Sequence, residues 1–181
     1  MGGRLSHRFP PPLFPFPIQN LGPGEVYCSL QPHYIRTVLG SCIAVCLWDQ
    51  TLRFGGMNHF ILPLRTINEE HSLRFGDVAV PELINRMIKF GSNSRHLQAK
   101  IFGGCNVLRS NNPKYYTIGR RNAETAISEL NHYKIPIVAS RLFGTSGLVI
   151  RQCTSDGDIL VRLIERNHYE EIARCNTPHC P

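Results

Sequence analysis

A cysteine placed directly after a Gly-Ser pair is the best candidate for a nucleophile in this sequence. The segment Thr37-Val-Leu-Gly-Ser-Cys42 ends a predicted strand in Gly40 and Ser41, so the thiol of Cys42 lies where the backbone turns sharply. Backbone N–H groups at such a turn can stabilise a developing oxyanion and favour a thiolate over a thiol. We therefore expect a lowered pKa for Cys42, with Gly40 and Ser41 supplying backbone support.

The best candidate for a base that activates this thiol is His59. It lies in a predicted strand, residues 56–62, that should pair antiparallel with the strand following Cys42 and so return the imidazole to the side of the thiol. Only a few per cent of a cysteine with a pKa of about 8.5 is thiolate at pH 7, so catalysis needs a base within reach. On spacing alone, an inert core cysteine and a structural histidine are the more common outcome.

The elements that must position these residues are short apolar runs separated by glycine. The run Ile43-Ala-Val-Cys-Leu-Trp48 is apolar on both faces, which indicates a strand buried on both sides, with helices as the cover. Helices are predicted from Pro81 to Gly91 and from about Arg121 to just before Pro136. Further strands are predicted at 25–30, 35–39, 97–102, 135–142, 148–153 and 159–164, the last two joined by a turn at 155–158. Together these elements predict a layered domain of the α/β or α+β class.

The composition is that of one soluble globular domain, with 181 residues, 42% hydrophobic and 18% charged. A net charge of +7 favours acidic partners, but no motif of interleaved aromatic and basic residues supports binding of nucleic acid. No run of about 18 apolar residues occurs, so membrane insertion is not expected. The seven cysteines are odd in number and lack a framework spacing, which indicates free thiols in a reducing, cytoplasmic compartment.

Three segments are predicted from the distribution of residue types. Residues 1–23 hold six of the 13 prolines together with Phe9, Phe14 and Phe16, and are expected to form an extended tail. Residues 24–165 form the domain, and residues 166–181 form a polar C-terminal tail. Two cysteines and a histidine in that tail could ligate zinc, but they lack the usual paired spacing and a convincing fourth ligand, so no metal is expected.

Several blocks of the sequence resemble the CheD family of chemoreceptor glutamine deamidases. The blocks are Thr37-Val-Leu-Gly-Ser-Cys-Ile-Ala-Val-Cys-Leu-Trp-Asp49, Gly55-Gly-Met-Asn-His-Phe-Ile-Leu-Pro63, Ala99-Lys-Ile-Phe-Gly-Gly104, Ile118-Gly-Arg-Arg-Asn-Ala123 and the hairpin from Gly147 to Arg162. They occur in the order of the family, and the resemblance covers about residues 20–165.

The resemblance implies an enzyme, a protein-glutamine glutaminase that converts glutamines of methyl-accepting chemotaxis receptors to glutamates during adaptation. It implies a three-layer sandwich of mixed β-sheet with covering helices, similar to the deamidating necrotizing factor toxins. Cys42 matches the family's nucleophile, His59 its general base and Thr37 a third site residue, although some members have one more residue between that threonine and the cysteine. Neither a metal nor an organic cofactor is implied.

The resemblance also implies a second class of function, a regulatory module that binds a CheC-type chemotaxis phosphatase with little catalysis of its own. A cysteine peptidase or a transglutaminase would use the same pairing of cysteine and histidine. The downstream blocks match the deamidases instead. Two further cysteines near the site, Cys46 and Cys105, are expected to be buried spectators.

Overall fold

The computed structural model describes residue 9 and residues 14–106, 113–164 and 172–174. The strands are β1 (Ile18–Asn20), β2 (Glu25–Ser29), β3 (Tyr34–Leu39), β4 (Ile43–Asp49), β5 (Phe54–His59), β6 (Leu97–Gly103), β7 (Ile137–Leu142), β8 (Gly147–Cys153), β9 (Ile159–Ile164) and β10 (Ile172–Arg174). The helices are α1 (Gly76–Lys89) and α2 (Pro113–His132), and a short 3₁₀ turn spans Ser94–His96. No helix in the part of the chain described has the length and apolarity needed to span a membrane.

The strands form two mixed sheets that pack against each other. Sheet I has the strand order β1-β3-β8-β9-β10, and sheet II has the order β2-β5-β4-β6-β7. Both helices pack on the outer face of sheet II, which leaves its inner face against sheet I. The described residues therefore form a mixed α+β sandwich with helices, sheet II and sheet I as its layers, and the predicted hairpin is confirmed as β8 paired with β9.

The central strand β4 is buried on both faces, but the two faces meet different layers. Ile43, Val45 and Leu47 point into the core beneath the helices. Ala44 and Cys46 point into the core between the two sheets. The expectation that helices cover both faces was thus wrong for one of them. An unbroken apolar run reports burial on two sides, and it does not distinguish a helix from a second sheet as the covering layer.

Both helices begin earlier than the sequence predicted. α1 starts at Gly76, so Pro81 lies inside the helix rather than in its first turn. The buried face of the helix compensates for the backbone hydrogen bond that proline cannot make. α2 begins before Gly119, a residue that normally weakens helices. Glycine is required there because a Cβ at Gly119 would lie 2.7 Å from the carbonyl oxygen of Gly104.

Each segment predicted as a tail contributes one strand to sheet I. β1 pairs parallel with β3, and β10 pairs antiparallel with β9. The ring of Phe16 lies 5.6 Å from the ring of Tyr34, and the guanidinium of Arg151 lies 5.0 Å from the ring of Phe9. Aromatic residues of the N-terminal segment therefore lie on the outer face of sheet I.

Candidate active site

Cys42 lies in the short connection between β3 and β4, where three successive carbonyl groups are held by hydrogen bonds. The acceptor and donor pairs are Gly40 O with the Cys105 N–H at 2.8 Å, Ser41 O with Asn122 Nδ2 at 3.1 Å, and Cys42 O with the Gly104 N–H at 2.8 Å. The N–H of a trans peptide points away from its C=O group. The Cys42 N–H therefore points away from Asn122, and it hydrogen-bonds to the Cys42 sulfur together with the Gly40 N–H.

Gly103, at the end of β6, packs directly against the Cys42 connection. A Cβ at Gly103 would lie 2.1 Å from the carbonyl oxygen of Cys42, and the residue has a φ of +114°. No side chain fits at that distance, so the backbone around Cys42 would have to move. Glycine at this position lets β6 end directly against the nucleophile's peptide group.

We expect Gly103→Ala to lower the free energy of unfolding by at least about 1–3 kcal/mol and to displace Cys42. Gly91→Ala is the matched control, because Gly91 also has a positive φ, of +98°, but its Cβ would meet only Leu52 Cδ1 at 3.9 Å. Thermal unfolding measures the first effect, and the alkylation rate of Cys42 measures the second. Equal effects of the two substitutions would show that backbone strain alone is responsible.

Asn122 of α2 joins the Cys42 connection to the segment that follows β5. Its Nδ2 donates to Ser41 O at 3.1 Å and to Ile61 O at 3.0 Å, and the residue is fully buried. No role for this asparagine was predicted from the sequence. Asn122 lies four residues before Ala126, on a helix face that is otherwise apolar, and a polar residue at such a position is the signal that could have indicated its role.

We expect Asn122→Ala to reduce kcat for the proposed reaction about tenfold or more, with little change in KM, because the Ser41–Cys42 peptide loses its fixed orientation. It should also lower the free energy of unfolding by about 1–3 kcal/mol, since two partly buried carbonyls lose their donor. Thr125→Ala, a buried change on the same helix directed toward Gly76, is the control. A matching fall in kcat for both variants would argue against a positioning role.

His59 is held in one tautomer by Thr37. The Thr37 hydroxyl donates to the Leu21 carbonyl at 2.7 Å, so its oxygen can only accept from His59 Nδ1 at 2.9 Å. Nδ1 therefore carries the proton, and Nε2 carries a lone pair. The Nε2 atom is buried and has no hydrogen-bond partner among the described residues. A histidine with a free Nε2 can accept a proton.

Cys42 and His59 project to the same side of sheet II. Ile43 and Phe60 exchange both backbone hydrogen bonds, at 3.1 and 3.0 Å, and both side chains lie in the core beneath the helices. Because side chains alternate along a strand, the preceding residues, Cys42 and His59, point to the opposite face. Cys42 packs there against the core between the sheets, and His59 reaches Thr37 of sheet I. The predicted antiparallel pairing of β4 with β5 is confirmed.

Burial favours the neutral forms of both groups. It raises the pKa of the Cys42 thiol above its ordinary value, and the backbone hydrogen bonds from Gly40 and Cys42 oppose this effect only in part. Burial also lowers the pKa of His59, although the Leu21 carbonyl and the charge of Glu25 act in the other direction. The expected lowering of the Cys42 pKa was wrong, because desolvation outweighs the turn's N–H groups. The resting pair is a thiol and a neutral imidazole.

An open groove of about 470 Å³ lies beside His59. Its lining residues are Asn20, Leu21, Pro23, Arg36, Thr37, Val38 and His59. The groove gives a ligand access to the imidazole and the threonine. Cys42 does not line the groove, but its side chain is partly exposed.

The two cysteines expected to be spectators are buried, although Cys105 lies beside the Cys42 connection, where its N–H donates to Gly40 O. Cys46 and Cys105 are both buried in the core between the sheets. Within the described ranges, no cluster of three or more histidine, cysteine or acidic side chains could hold a metal ion. The possible zinc ligands of the C-terminal tail, Cys175, His179 and Cys180, lie outside the described residues.

Comparison with known proteins identifies relatives over most of the chain. The family model CheD, chemotactic sensory transduction, matches residues 61–163. A probable chemoreceptor glutamine deamidase CheD of Rhodospirillum rubrum is 46% identical over 145 residues, which are 80% of this chain and 81% of the relative. Proteins with the same name in Trichlorobacter lovleyi and Sulfurimonas denitrificans are 40% and 34% identical, and the alignments cover 87% and 93% of those relatives. The same alignments cover 78% and 80% of this chain. These identities and coverages show that the chain belongs to the CheD family.

Proposed function

We propose that this protein is a protein-glutamine deamidase that converts glutamines of chemoreceptors to glutamates. Relatives that are 34% to 46% identical over the aligned residues are named probable chemoreceptor glutamine deamidases. The observation that carries the proposal is the unpartnered Nε2 of His59, on the face of sheet II to which Cys42 also points. A thiol and a neutral base on one face are the groups that a cysteine amidohydrolase needs.

The proposed first step is attack of the Cys42 sulfur on the carbonyl carbon of the glutamine side chain. The thiol proton moves to His59 Nε2 as the carbon–sulfur bond forms, because the resting pair is neutral. The negative charge develops on the amide oxygen, where the backbone N–H groups of Ser41 and Cys42 stabilise it. Of these two, the Cys42 N–H faces the sulfur in the resting site and becomes available to the oxyanion once the sulfur has bonded to carbon.

The second half of the reaction removes ammonia and restores the enzyme. Protonated His59 gives its proton to the amide nitrogen, which leaves as ammonia while a thioester forms on Cys42. Neutral His59 then takes a proton from a water molecule, which attacks the thioester carbon. Breaking the carbon–sulfur bond returns the proton to the sulfur and releases glutamate. Thr37 keeps the lone pair of His59 on Nε2 through both halves.

Three further properties are proposed with this activity. The fold is that of the deamidating necrotizing factor toxins, a relation supported by a cysteine and a histidine on one face of a sheet flanked by helices. The protein acts in the cytoplasm, where the signalling domains of its receptor substrates lie. A CheC-type phosphatase is its proposed partner. Binding to that phosphatase with little catalysis is the alternative function.

The test is mass spectrometry of a chemoreceptor cytoplasmic fragment after incubation with the wild-type protein or with Cys42→Ala. A glutamine-to-glutamate change at defined sites, present only with the wild type, supports the deamidase. Incorporation of an added amine would indicate a transglutaminase, and a cleaved backbone would indicate a peptidase. No change on any receptor fragment, with the fold intact, would favour the binding function, which a pull-down with a CheC-type phosphatase then examines.

A further inference from the structure

The groove beside His59 carries a charge that the proposed mechanism does not use. Arg36 lies on β3 one residue before Thr37, and its side chain lines the groove together with Asn20 and Val38. Val38, the penultimate residue of β3, lies beyond the part of that strand that pairs with β1 and is 52% exposed. The groove thus combines an apolar surface, an amide and a guanidinium next to the proposed base.

The guanidinium of Arg36 is available to a ligand. Within the described residues it forms no ion pair, and none of the residues that line the groove is acidic. Glu25 lies on β2 opposite His59, and its carboxylate accepts a hydrogen bond from the Gly22 N–H at 2.6 Å. The carboxylate next to the groove is therefore already engaged by its own chain.

Binding of an anion at Arg36 is favoured by Arg151, the residue paired with it on the adjacent strand. Arg36 is paired in register with Arg151 of β8, so two like charges lie side by side on the outer face of sheet I. Arg151 is only 6% exposed and lies between the rings of Phe9 and Tyr34, each 5.0 Å from its guanidinium. An approaching carboxylate can therefore reach Arg36 more readily than Arg151, and it would reduce the repulsion between them.

From this arrangement we infer that the groove binds the glutamine-bearing segment of the substrate and that Arg36 selects segments with a carboxylate close to the target glutamine. The inference deepens the proposed function and rests on it for the identity of the substrate. Val38 and Pro23 contact the apolar part of the segment, and Arg36 pairs with its acidic side chain. Arg36 thus determines specificity and takes no part in the chemical steps.

The test uses synthetic peptides with a central glutamine flanked by two glutamates, two alanines or two lysines. Binding of the fluorescein-labelled peptides to the full-length Cys42→Ala protein is measured by fluorescence anisotropy, so it does not depend on turnover. Deamidation by the catalytically intact protein is measured by mass spectrometry. Both measurements are repeated with Arg36→Glu, Arg36→Lys and Arg36→Gln. Arg95→Glu, at an exposed site on the 3₁₀ turn, makes the same change in net charge and is the matched control.

The glutamate peptide is expected to bind the parent protein about tenfold more tightly than the alanine peptide. Arg36→Glu and Arg36→Gln should remove this preference, Arg36→Glu should favour the lysine peptide, and Arg36→Lys should keep most of the original preference. Where turnover occurs, KM should change and kcat should not. A preference that survives Arg36→Gln, or that Arg95→Glu removes equally, would overturn the inference.

The two proposals fail separately. Binding of the glutamate peptide that depends on Arg36, with no deamidation by the intact protein, would support the groove and contradict the deamidase. Deamidation that depends on Cys42 but is equal for all three peptides and all Arg36 variants would support the deamidase and overturn the role of Arg36. Melting temperatures of the variants show whether any loss of binding reflects unfolding.

Discussion

Cys42→Ala is expected to lower the rate of glutamine deamidation by at least about a thousandfold, because an alanine cannot form the thioester. Cys42→Ser should also lose most activity, since a hydroxyl is much less acidic than a thiol and His59 is a weak base in this site. The fold should remain intact, because the Cys42 side chain is already partly exposed and its removal leaves no closed cavity. Ammonia release and the mass of the receptor fragment both report the loss.

Cys153→Ser is the matched control for the loss of a thiol. Cys153 hydrogen-bonds to Ser155 at 3.3 Å, which a serine can preserve. It pairs with Tyr34 at the beginning of β3, whereas Cys42 follows the other end of that strand. This control should keep near-normal turnover. If Cys42→Ala retained activity while its melting temperature was unchanged, another nucleophile would have to be sought.

His59→Gln is expected to lower kcat about a hundredfold or more, because His59 is the only base among the described residues that line the groove. For the wild type, kcat/KM should fall on the acidic side only below pH 6.5, the ordinary pKa of histidine, because burial lowers the pKa of His59. Glu25→Gln should move this acidic limb to still lower pH, since the charge of Glu25 raises that pKa. The pH profile of single-turnover deamidation measures all three.

The lowered pKa of His59 also makes the stability of the fold depend on pH. A histidine whose pKa is lower in the folded state contributes stability above its ordinary pKa, and this contribution is lost as pH falls through the folded value. Wild-type stability should therefore decline below pH 6.5 by an amount that His59→Gln no longer shows. Unfolding by urea at several pH values separates this loss from the loss of activity. An acidic limb that stayed in His59→Gln would assign the titration to another group.

Much of the framework around the site could be predicted from local patterns. The burial of β4 on both faces, the pairing of β4 with β5 and the β8–β9 hairpin follow from runs of apolar residues and turn signals that are close in sequence. The division into two sheets could not be predicted in this way. It depends on contacts between β3 and β8 that are far apart along the chain and have no local signature.

The residues of the candidate site likewise fall into those that local sequence patterns predicted and those that they did not. Cys42 and His59 belong to residue types with evident chemistry, and their strands are neighbours in sequence. Asn122 and Gly103 were missed because their roles arise only when α2 and the end of β6 are brought against the Cys42 connection. The direction of the Cys42 pKa was also missed, since burial between two sheets cannot be read from a single turn.

The three proposed catalytic side chains are contributed by different layers of the sandwich. His59 belongs to sheet II and Thr37, which fixes the imidazole, belongs to sheet I, whereas Cys42 lies in the connection between the two sheets. The bulk of Met57, Phe102, Leu39 and Ile150 fills the space between the layers. These side chains therefore act as a spacer that sets the alignment of the base. Natural sequence variation in this protein should consequently trade volume between facing positions of the two sheets, even at sites that never meet a substrate.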